Sequence, residues 1–482
     1  MTGGSPMEAW TFPPRFDADY LPPMASRYWF PVRETMPAAT RERAILERLQ
    51  TLTRYAWERA PFYRRKWDEA GFHPDQLRTL EDFEAKVPVI TKRDLREAQA
   101  RVPPFGDYLC VAESEVHHIH GTSGTTGRPT AFAIGRGDWD AIANAHARIL
   151  WGMGLRPGDA VFIAAIFSLY MGSWGTLAGV ERLRAKAFPF GAGAPGMTAR
   201  AAMWLDLMKP SAFYSTPSFA LHLSEVARAE GFDPGTFGLK TMFFSGEPGA
   251  SVPGVRDKIV AAFGARVIDC GSMAEVTPFM NVAGTAQTDG MLLWQDVVYT
   301  EVCDPVTFRR VPFGARGTPV YTHLERTSQP MIRLVSGDLT QWEDGPTPCG
   351  RTYPRLPHGI FGRIDDMFTI RGENVYPSEV DAVVNELSGY GGEHRIVIMR
   401  DGAMDELLIR VEASPAIHAA GSAALRSLGE EAAQKLLRML GLRARVEVVA
   451  PGTFPRTDFK ARRVIDDRDV FRELNARLAQ ER

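Results

Sequence analysis

The 482-residue chain has little cysteine, no excess of either charge and no long uninterrupted apolar run, and each shortage removes a class of protein. Cys110, Cys270, Cys303 and Cys349 are the only cysteines, too widely scattered for a disulfide scaffold or a short-spaced zinc motif. They are expected to be structural thiols in a reducing cytoplasm. A net charge of −2 gives no electrostatic basis for binding nucleic acid or an anionic membrane surface. Met1 to Trp10 has neither a basic head nor an apolar core, so no secretion signal is expected. The least polar stretch, Val161 to Val180, is broken by Gly172, Gly175 and Gly179 and flanked by Asp159. It reads as a buried strand, a glycine loop and the start of a helix, not a membrane span. No Gly-Lys dipeptide occurs anywhere, which removes the lysine that a kinase-type or GTPase-type phosphate loop requires.

What is present is ordinary globular composition, 45% apolar and 24% charged, in a chain long enough for two or more domains. Thr40 to Ala100 carries helical periodicity with charged outer faces. Between about Val111 and Pro330, apolar runs such as Ala160 to Ala165, Ala212 to Tyr214, Thr241 to Phe244 and Arg266 to Ile268 alternate with helix-like stretches. That alternation predicts a mainly parallel α/β sheet, with ligands at the carboxyl ends of its strands. After Leu292, short strands such as Val297 to Val302 and Gly317 to Thr322 predict a β-rich subdomain. A polar hinge, Gly362-Arg-Ile-Asp-Asp366, precedes a strand-helix pattern with helices at Pro377 to Leu387 and about Ala420 to Leu440. The expected class is α/β: a large N-terminal domain over residues 1–362 and a small, mobile α+β domain over 363–482.

The densest chemical signal is His120-Gly-Thr-Ser-Gly-Thr-Thr-Gly-Arg-Pro-Thr130. Its glycines let backbone N–H groups approach an anion, and Ser123, Thr125 and Thr126 add hydroxyl donors, a combination suited to phosphate. A plain flexible turn has the same composition, so the loop alone leaves both readings open. Further segments complete a pattern: Ser245-Gly-Glu-Pro248, Asp269-Cys-Gly-Ser-Met-Ala-Glu275, Ser336-Gly-Asp338, Gly362 to Pro377, and Phe454-Pro-Arg-Thr-Asp-Phe-Lys-Ala-Arg-Arg463. In order and spacing they resemble the phenylacetate-CoA ligase branch of the adenylate-forming superfamily. Ala60-Pro-Phe-Tyr-Arg-Arg-Lys66 and Thr91-Lys-Arg-Asp-Leu95 resemble that branch's N-terminal helices.

The resemblance implies ATP, Mg²⁺ and coenzyme A as cofactors, and a carboxylic acid, expected to be aromatic, as substrate. Ser123, Gly124, Thr125, Thr126 and Gly127 would clamp the pyrophosphate end of ATP. Gly246, Glu247 and Pro248 would lie along adenine, and Ser272 nearby. Asp338 would accept from the ribose hydroxyls, and Arg363 would sit close to ribose and phosphate. Glu275 would hold magnesium, a hard oxygen ligand for a hard cation. Lys460 would bring a mobile ammonium to the acyl-phosphate during adenylation, where negative charge builds. Asp365 would be the hinge between half-reactions, with Arg371 and Gly372 on the face that meets pantetheine. Ala165, Tyr170, Gly172, Phe244, Gly271 and Met273 would form the acyl pocket.

The chain departs from that branch in three places. Gly271 replaces an aromatic residue, Ala274 a hydroxyl residue and Ala165 a tyrosine, which together enlarge the pocket and point to an acid bulkier than, or shaped differently from, phenylacetate. Of the zinc ligands some relatives carry, only Cys349 remains, and no zinc site is expected. His117, His118 and His120 fit loop support better than metal. Two other readings share the motifs: an adenylating enzyme that passes the acyl group to a carrier-protein thiol or an amine, and a non-catalytic nucleotide-binding relative. The family also suggests a homodimer.

Overall fold

The computed structural model describes residues 11–121, 130–169, 171–191, 196–271, 273–276, 280–364, 368–370, 373–401, 404–455 and 463–466. The chain forms two compact units, one from residues 1–251 and 259–360, the other from 252–258 and 361–482.

The first unit is built on an eight-stranded sheet whose strands lie in the order Arg355–Leu356, Thr288–Leu293, Val282–Thr285, Arg266–Gly271, Thr241–Phe244, Ala212–Ser215, Ala160–Ile163 and Lys186–Phe188. The last five of these run parallel to one another, and the others add antiparallel to the Arg266–Gly271 side. Thr241–Phe244 and Ala212–Ser215 are buried at every residue, as expected for parallel strands covered on both faces. From Ala160–Ile163 the chain moves outward to Lys186–Phe188, then returns on the other side to Ala212–Ser215. Such a reversal is where a ligand is expected in a parallel sheet, outside the carboxyl ends of Ala160–Ile163 and Ala212–Ser215.

The expected helical N-terminal segment is present as Ala38–Arg59, Pro61–Glu69, Leu80–Lys86 and Lys92–Arg101. The last two helices each begin with a complete capping box, Thr79 with Asp82 and Thr91 with Asp94, so local chemistry sets their start points. The β-rich region is a separate antiparallel sheet containing Val298–Cys303 and Arg316–His323. A buried ion network joins it to the N-terminal segment. Glu34 lies 3.1 Å from Arg148 Nε and 2.7 Å from Arg351 Nη2, and Asp296 lies 2.7 Å from Arg148 Nη1 and 3.1 Å from Arg33 Nε. Burial opposes the Asp296 charge, but the two guanidiniums outweigh it and hold the carboxyl well below its ordinary range.

The second unit has a four-stranded sheet in the order Arg445–Val449, Met404–Ala413, Tyr390–Asp401 and Val464–Asp466, packed against helices Pro377–Asn385 and Ser422–Leu440. The predicted single helix from about Ala420 begins as a short helix, Pro415–Ala419, and restarts at Ser422, because Gly421 takes φ +88° between them. Among the described residues no helix is long and apolar enough to cross a membrane.

Candidate active site

Three predicted acyl-pocket residues sit at the carboxyl ends of sheet strands. Ala165 follows Ala160–Ile163 and is buried, with the neighbouring Ala164 amide donating to the Tyr214 carbonyl at 2.8 Å. Phe244 ends its strand, and its carbonyl accepts from the Cys270 thiol at 3.0 Å. Gly271 ends the next strand. A Cβ placed there would meet Val282 and Met291 at 3.9 and 4.0 Å, ordinary contact distances, so the position would accept a Cβ without displacing either neighbour. Gly172 is buried on helix Met171–Arg182, and Met273 is buried just beyond Gly271. None of these five lines the apolar cavity of about 500 Å³ among Ile166, Phe167, Trp174, Leu177, Pro189 and Phe190, on the side of the edge strand Lys186–Phe188.

The turn expected along adenine follows Phe244. Gly246 adopts φ +91°, which a side chain would strain, and Glu247 Oε1 accepts from the Ser218 amide at 2.8 Å in the first turn of helix Pro217–Ala229. The carboxylate therefore occupies an N-terminal helix position where the dipole favours negative charge, and it fixes the turn to that helix. Asp338 opens strand Asp338–Gln341 directly after Gly337, at φ +75°, and its amide donates to Ser336 Oγ at 3.0 Å. Arg363 ends strand Ile360–Arg363 and belongs to the second unit. Ser123, Gly124, Thr125, Thr126, Gly127, Tyr170, Ser272, Asp365, Arg371, Gly372 and Lys460 lie outside the described residues.

Glu275 is buried in the turn that follows Gly271, and its carboxylate lies 3.3 Å from Lys92 Nζ. The same turn is held through its backbone. Buried Arg326 donates from Nη1 to the Glu275 carbonyl at 2.6 Å and the Val276 carbonyl at 3.2 Å, and from Nη2 to the Ala133 carbonyl at 3.3 Å. Asp138 in turn accepts from the Thr327 amide and hydroxyl at 2.7 and 2.8 Å and from the Ser328 amide at 2.7 Å, fixing the loop that carries Arg326. Sequence reasoning assigned no role to Lys92, Arg326 or Asp138. The capping box at Thr91 was a visible signal for Lys92, since it sets where that helix starts.

Asp269, in the same signature, was also passed over. It is 8% exposed, its carboxylate accepts from Ser251 Oγ, and burial pushes its pKa up to about 7.

Residues 122–129, the expected phosphate loop, are outside the described residues; the strands on either side, Val116–Gly121 and Ala131–Gly135, pair antiparallel. The histidines stand on the first of these strands. His118 stacks on Trp139 with ring centroids 3.8 Å apart, and His120 lies parallel to the same indole at 5.9 Å. Burial, with a smaller contribution from His118, lowers His120 to about 4, which leaves it neutral at physiological pH. Among the described residues no group of three His, Cys, Asp or Glu side chains is arranged to hold a metal ion.

A family model described as the AMP-binding enzyme C-terminal domain matches residues 372–468. Phenylacetate-coenzyme A ligase of Thermus thermophilus is 34% identical over 450 residues, covering 90% of this chain and 98% of the relative. The chain belongs to the phenylacetate-CoA ligase branch of the adenylate-forming enzymes. Phenylacetate-coenzyme A ligase of Escherichia coli is 32% identical over 426 residues, 88% of this chain and 94% of the relative. Among solved structures, 2-hydroxyisobutyryl-CoA ligase in its postadenylation state with 2-HIB-AMP is 71% identical, covers 99% of this chain and 100% of its own, and superposes with a TM-score of 0.94. The same ligase with 2-HIB-AMP and CoA in the thioesterification state gives 0.75 at the same identity and coverage. Within this branch, Lys92 and Glu275 come from the two regions the sequence had already set apart, Thr91 to Leu95 and Asp269 to Glu275.

Proposed function

We propose that this acid–CoA ligase activates a short branched hydroxy acid, with 2-hydroxyisobutyrate the first candidate. The observation that carries this is the 71% identity over 99% of the chain to a 2-hydroxyisobutyryl-CoA ligase whose structures contain 2-HIB-AMP and R3-HIB-AMP. The substitutions at Ala165, Gly271 and Ala274 had pointed to an acid bulkier than, or shaped differently from, phenylacetate, but they report only lost side chains. An overall match at this level weighs more.

The reaction has two steps. A substrate carboxylate oxygen attacks the α-phosphorus of ATP, forming acyl-AMP and releasing pyrophosphate. The coenzyme A thiolate then attacks the acyl carbon, forming the thioester and releasing AMP. No covalent bond to the protein is needed, so the chain contributes positioning and charge stabilisation. Bound with ATP, Mg²⁺ would supply neutralisation of the phosphate charge. Glu275, a buried carboxylate at the exit of Arg266–Gly271, fits as its oxygen ligand.

In this reading residues 1–362 hold the acid and ATP sites, with Ser123 to Gly127 around the phosphates and Asp338 at the ribose. Residues 363–482 form the AMP-binding cap, with Asp365 as hinge, Arg371 and Gly372 toward pantetheine, and Lys460 serving adenylation. The reaction belongs in the cytoplasm, in keeping with four buried free thiols. Coenzyme A is the acceptor, with a carrier-protein thiol or an amine as the acceptors to exclude. A homodimer is proposed through helix Met197–Met208, whose Met203, Trp204, Leu207 and Met208 stand exposed on one face.

Acid-dependent ATP–pyrophosphate exchange across 2-hydroxyisobutyrate, 3-hydroxyisobutyrate, phenylacetate and larger aryl acids tests the substrate. Exchange highest with an aryl acid would overturn it. Each activated acid is then offered coenzyme A, a carrier protein and an amine in turn.

A further inference from the structure

Four histidines are buried among the described residues, and three of them hold a hydrogen bond. His146 Nε2 accepts from the Met280 amide at 3.0 Å, His323 Nδ1 accepts from the Glu325 amide at 3.1 Å, and His394 Nδ1 lies 2.8 Å from the Tyr390 hydroxyl. His120 is the exception. It is 4% exposed, and neither Nδ1 nor Nε2 has a hydrogen-bond partner. The Leu169 carbonyl is near enough to oppose slightly the fall in the pKa of the ring, but that oxygen accepts from the Gly121 amide at 3.3 Å and makes no hydrogen bond to the imidazole.

The ring stands between two indoles, parallel to Trp139 at 5.9 Å and tilted against Trp174 at 6.4 Å. Each indole leads to a stretch already placed at the acid. Trp139 packs in a small apolar cluster with Met171 and Ala274, the residues beside Gly172 and Met273. Trp174 lines the cavity of about 500 Å³ together with Ile166 and Phe167, which directly follow Ala165. Arg326, which grips the Glu275 turn, is close enough to disfavour charge on His120. The unpartnered imidazole therefore borders the same group of residues as the proposed acyl pocket.

A buried polar group without a partner destabilises the protein unless something supplies the missing bonds. A neutral imidazole offers one donor and one acceptor, and a hydroxyl offers the same pair in return. Being uncharged, a hydroxyl can also enter a site walled by indoles without the desolvation cost that a carboxylate or phosphate would meet there. We propose that His120 is a specificity-determining residue that hydrogen-bonds the hydroxyl group of the substrate acid. The inference rests on the reading of the substrate as a short hydroxy acid. An acid of the same skeleton without the hydroxyl would leave the imidazole unpaired, so the site rejects it. His118, stacked on Trp139 at 3.8 Å, holds the indole against which the His120 ring lies.

The test measures acid-dependent ATP–pyrophosphate exchange with 2-hydroxyisobutyrate, 3-hydroxyisobutyrate and isobutyrate, the last having the same skeleton and no hydroxyl. Full-length parent is compared with H120F and H120L, which remove both nitrogens, and with H120N and H120Q, which each return an amide donor and acceptor. In the parent, kcat/KM for the better hydroxy acid should exceed that for isobutyrate by at least about 100-fold. H120F and H120L should lower this ratio at least about 10-fold by loss with the hydroxy acid alone, with kcat/KM for isobutyrate and KM for ATP each within about threefold. One of the amide variants should recover part of the ratio. If H120F and H120L slow both acids equally and keep the ratio, His120 only supports its surroundings, and the proposal is overturned while the substrate reading stands. A ratio no higher in either amide variant than in H120F assigns the loss to ring shape and overturns the hydrogen bond. A parent that prefers an aryl acid, or does not distinguish the hydroxy acids from isobutyrate, overturns the substrate reading and this role with it. Should H120F fail to fold, H120L supplies the same comparison.

Discussion

Lys92 holds its ammonium 3.3 Å from the Glu275 carboxylate, so the proposed magnesium ligand already has a protein counter-charge. A buried carboxylate without one would carry a desolvation penalty of several kcal/mol. Arg326 meanwhile grips the turn by its carbonyls, not by the Glu275 side chain. Backbone placement and side-chain charge are therefore supplied by different residues, and they can be separated by substitution.

E275Q should keep the fold, because Arg326 is untouched, but lower the exchange rate by roughly 100-fold, the usual scale for losing one preorganised charge at a reacting phosphate. The magnesium concentration for half-maximal exchange should rise. An unchanged magnesium titration would remove Glu275 from the metal.

G271F places an aromatic ring beside Val282 and Met291. With Gly271 in the proposed acyl pocket, we expect kcat/KM for the acid to fall at least about 10-fold with KM for ATP little changed. Parallel losses toward acid and ATP would place Gly271 elsewhere.

Asp269 carries the pH dependence. Its carboxyl ionises near its ordinary value of 3.8 in the unfolded chain and at about 7 in the folded one. The unfolded state therefore binds fewer protons between those values, and this group's contribution to stability is full below about pH 4 and lost as pH rises through 7. D269N removes the titration. The Tm difference, D269N minus parent, should grow from pH 5 to about pH 7 and level off by pH 8, and a flat difference across that range would refute the assignment.

W204E and L207E place charges on the exposed face of helix Met197–Met208. If that face joins two copies, sedimentation should shift from dimer to monomer while each variant keeps the parent's exchange rate. A parent that is already monomeric at micromolar concentration ends the proposal.

Much of this architecture could be read from the chain because its central strands are uniformly apolar. Thr241–Phe244 is a fully buried run, and its sequence says so. Lys186–Phe188 escaped notice because it is a three-residue edge strand that begins with an exposed lysine, which is how edges are protected. The strands Tyr390–Asp401 and Met404–Ala413 run beyond their apolar middles, since their ends pair with each other and need no apolar face. Motif spacing singled out Glu275 and Asp338, whose proposed roles depend on short local signatures. It could not expose Arg326, whose contacts join positions far apart in the chain, and nothing local distinguishes a buried arginine from the many at the surface.

Residues 252–258 join a unit whose remainder begins at residue 361. There Lys258 Nζ donates to the Asn385 carbonyl at 3.2 Å and lies 4.9 Å from the Tyr390 ring centroid. During synthesis this stretch leaves the ribosome well before its partners do and must wait for them. A fragment cut at 361 would lack it and bare the surface around Asn385 and Tyr390. Dissecting this enzyme into independently expressed halves therefore calls for a graft of 252–258 onto the smaller piece, not a single cut.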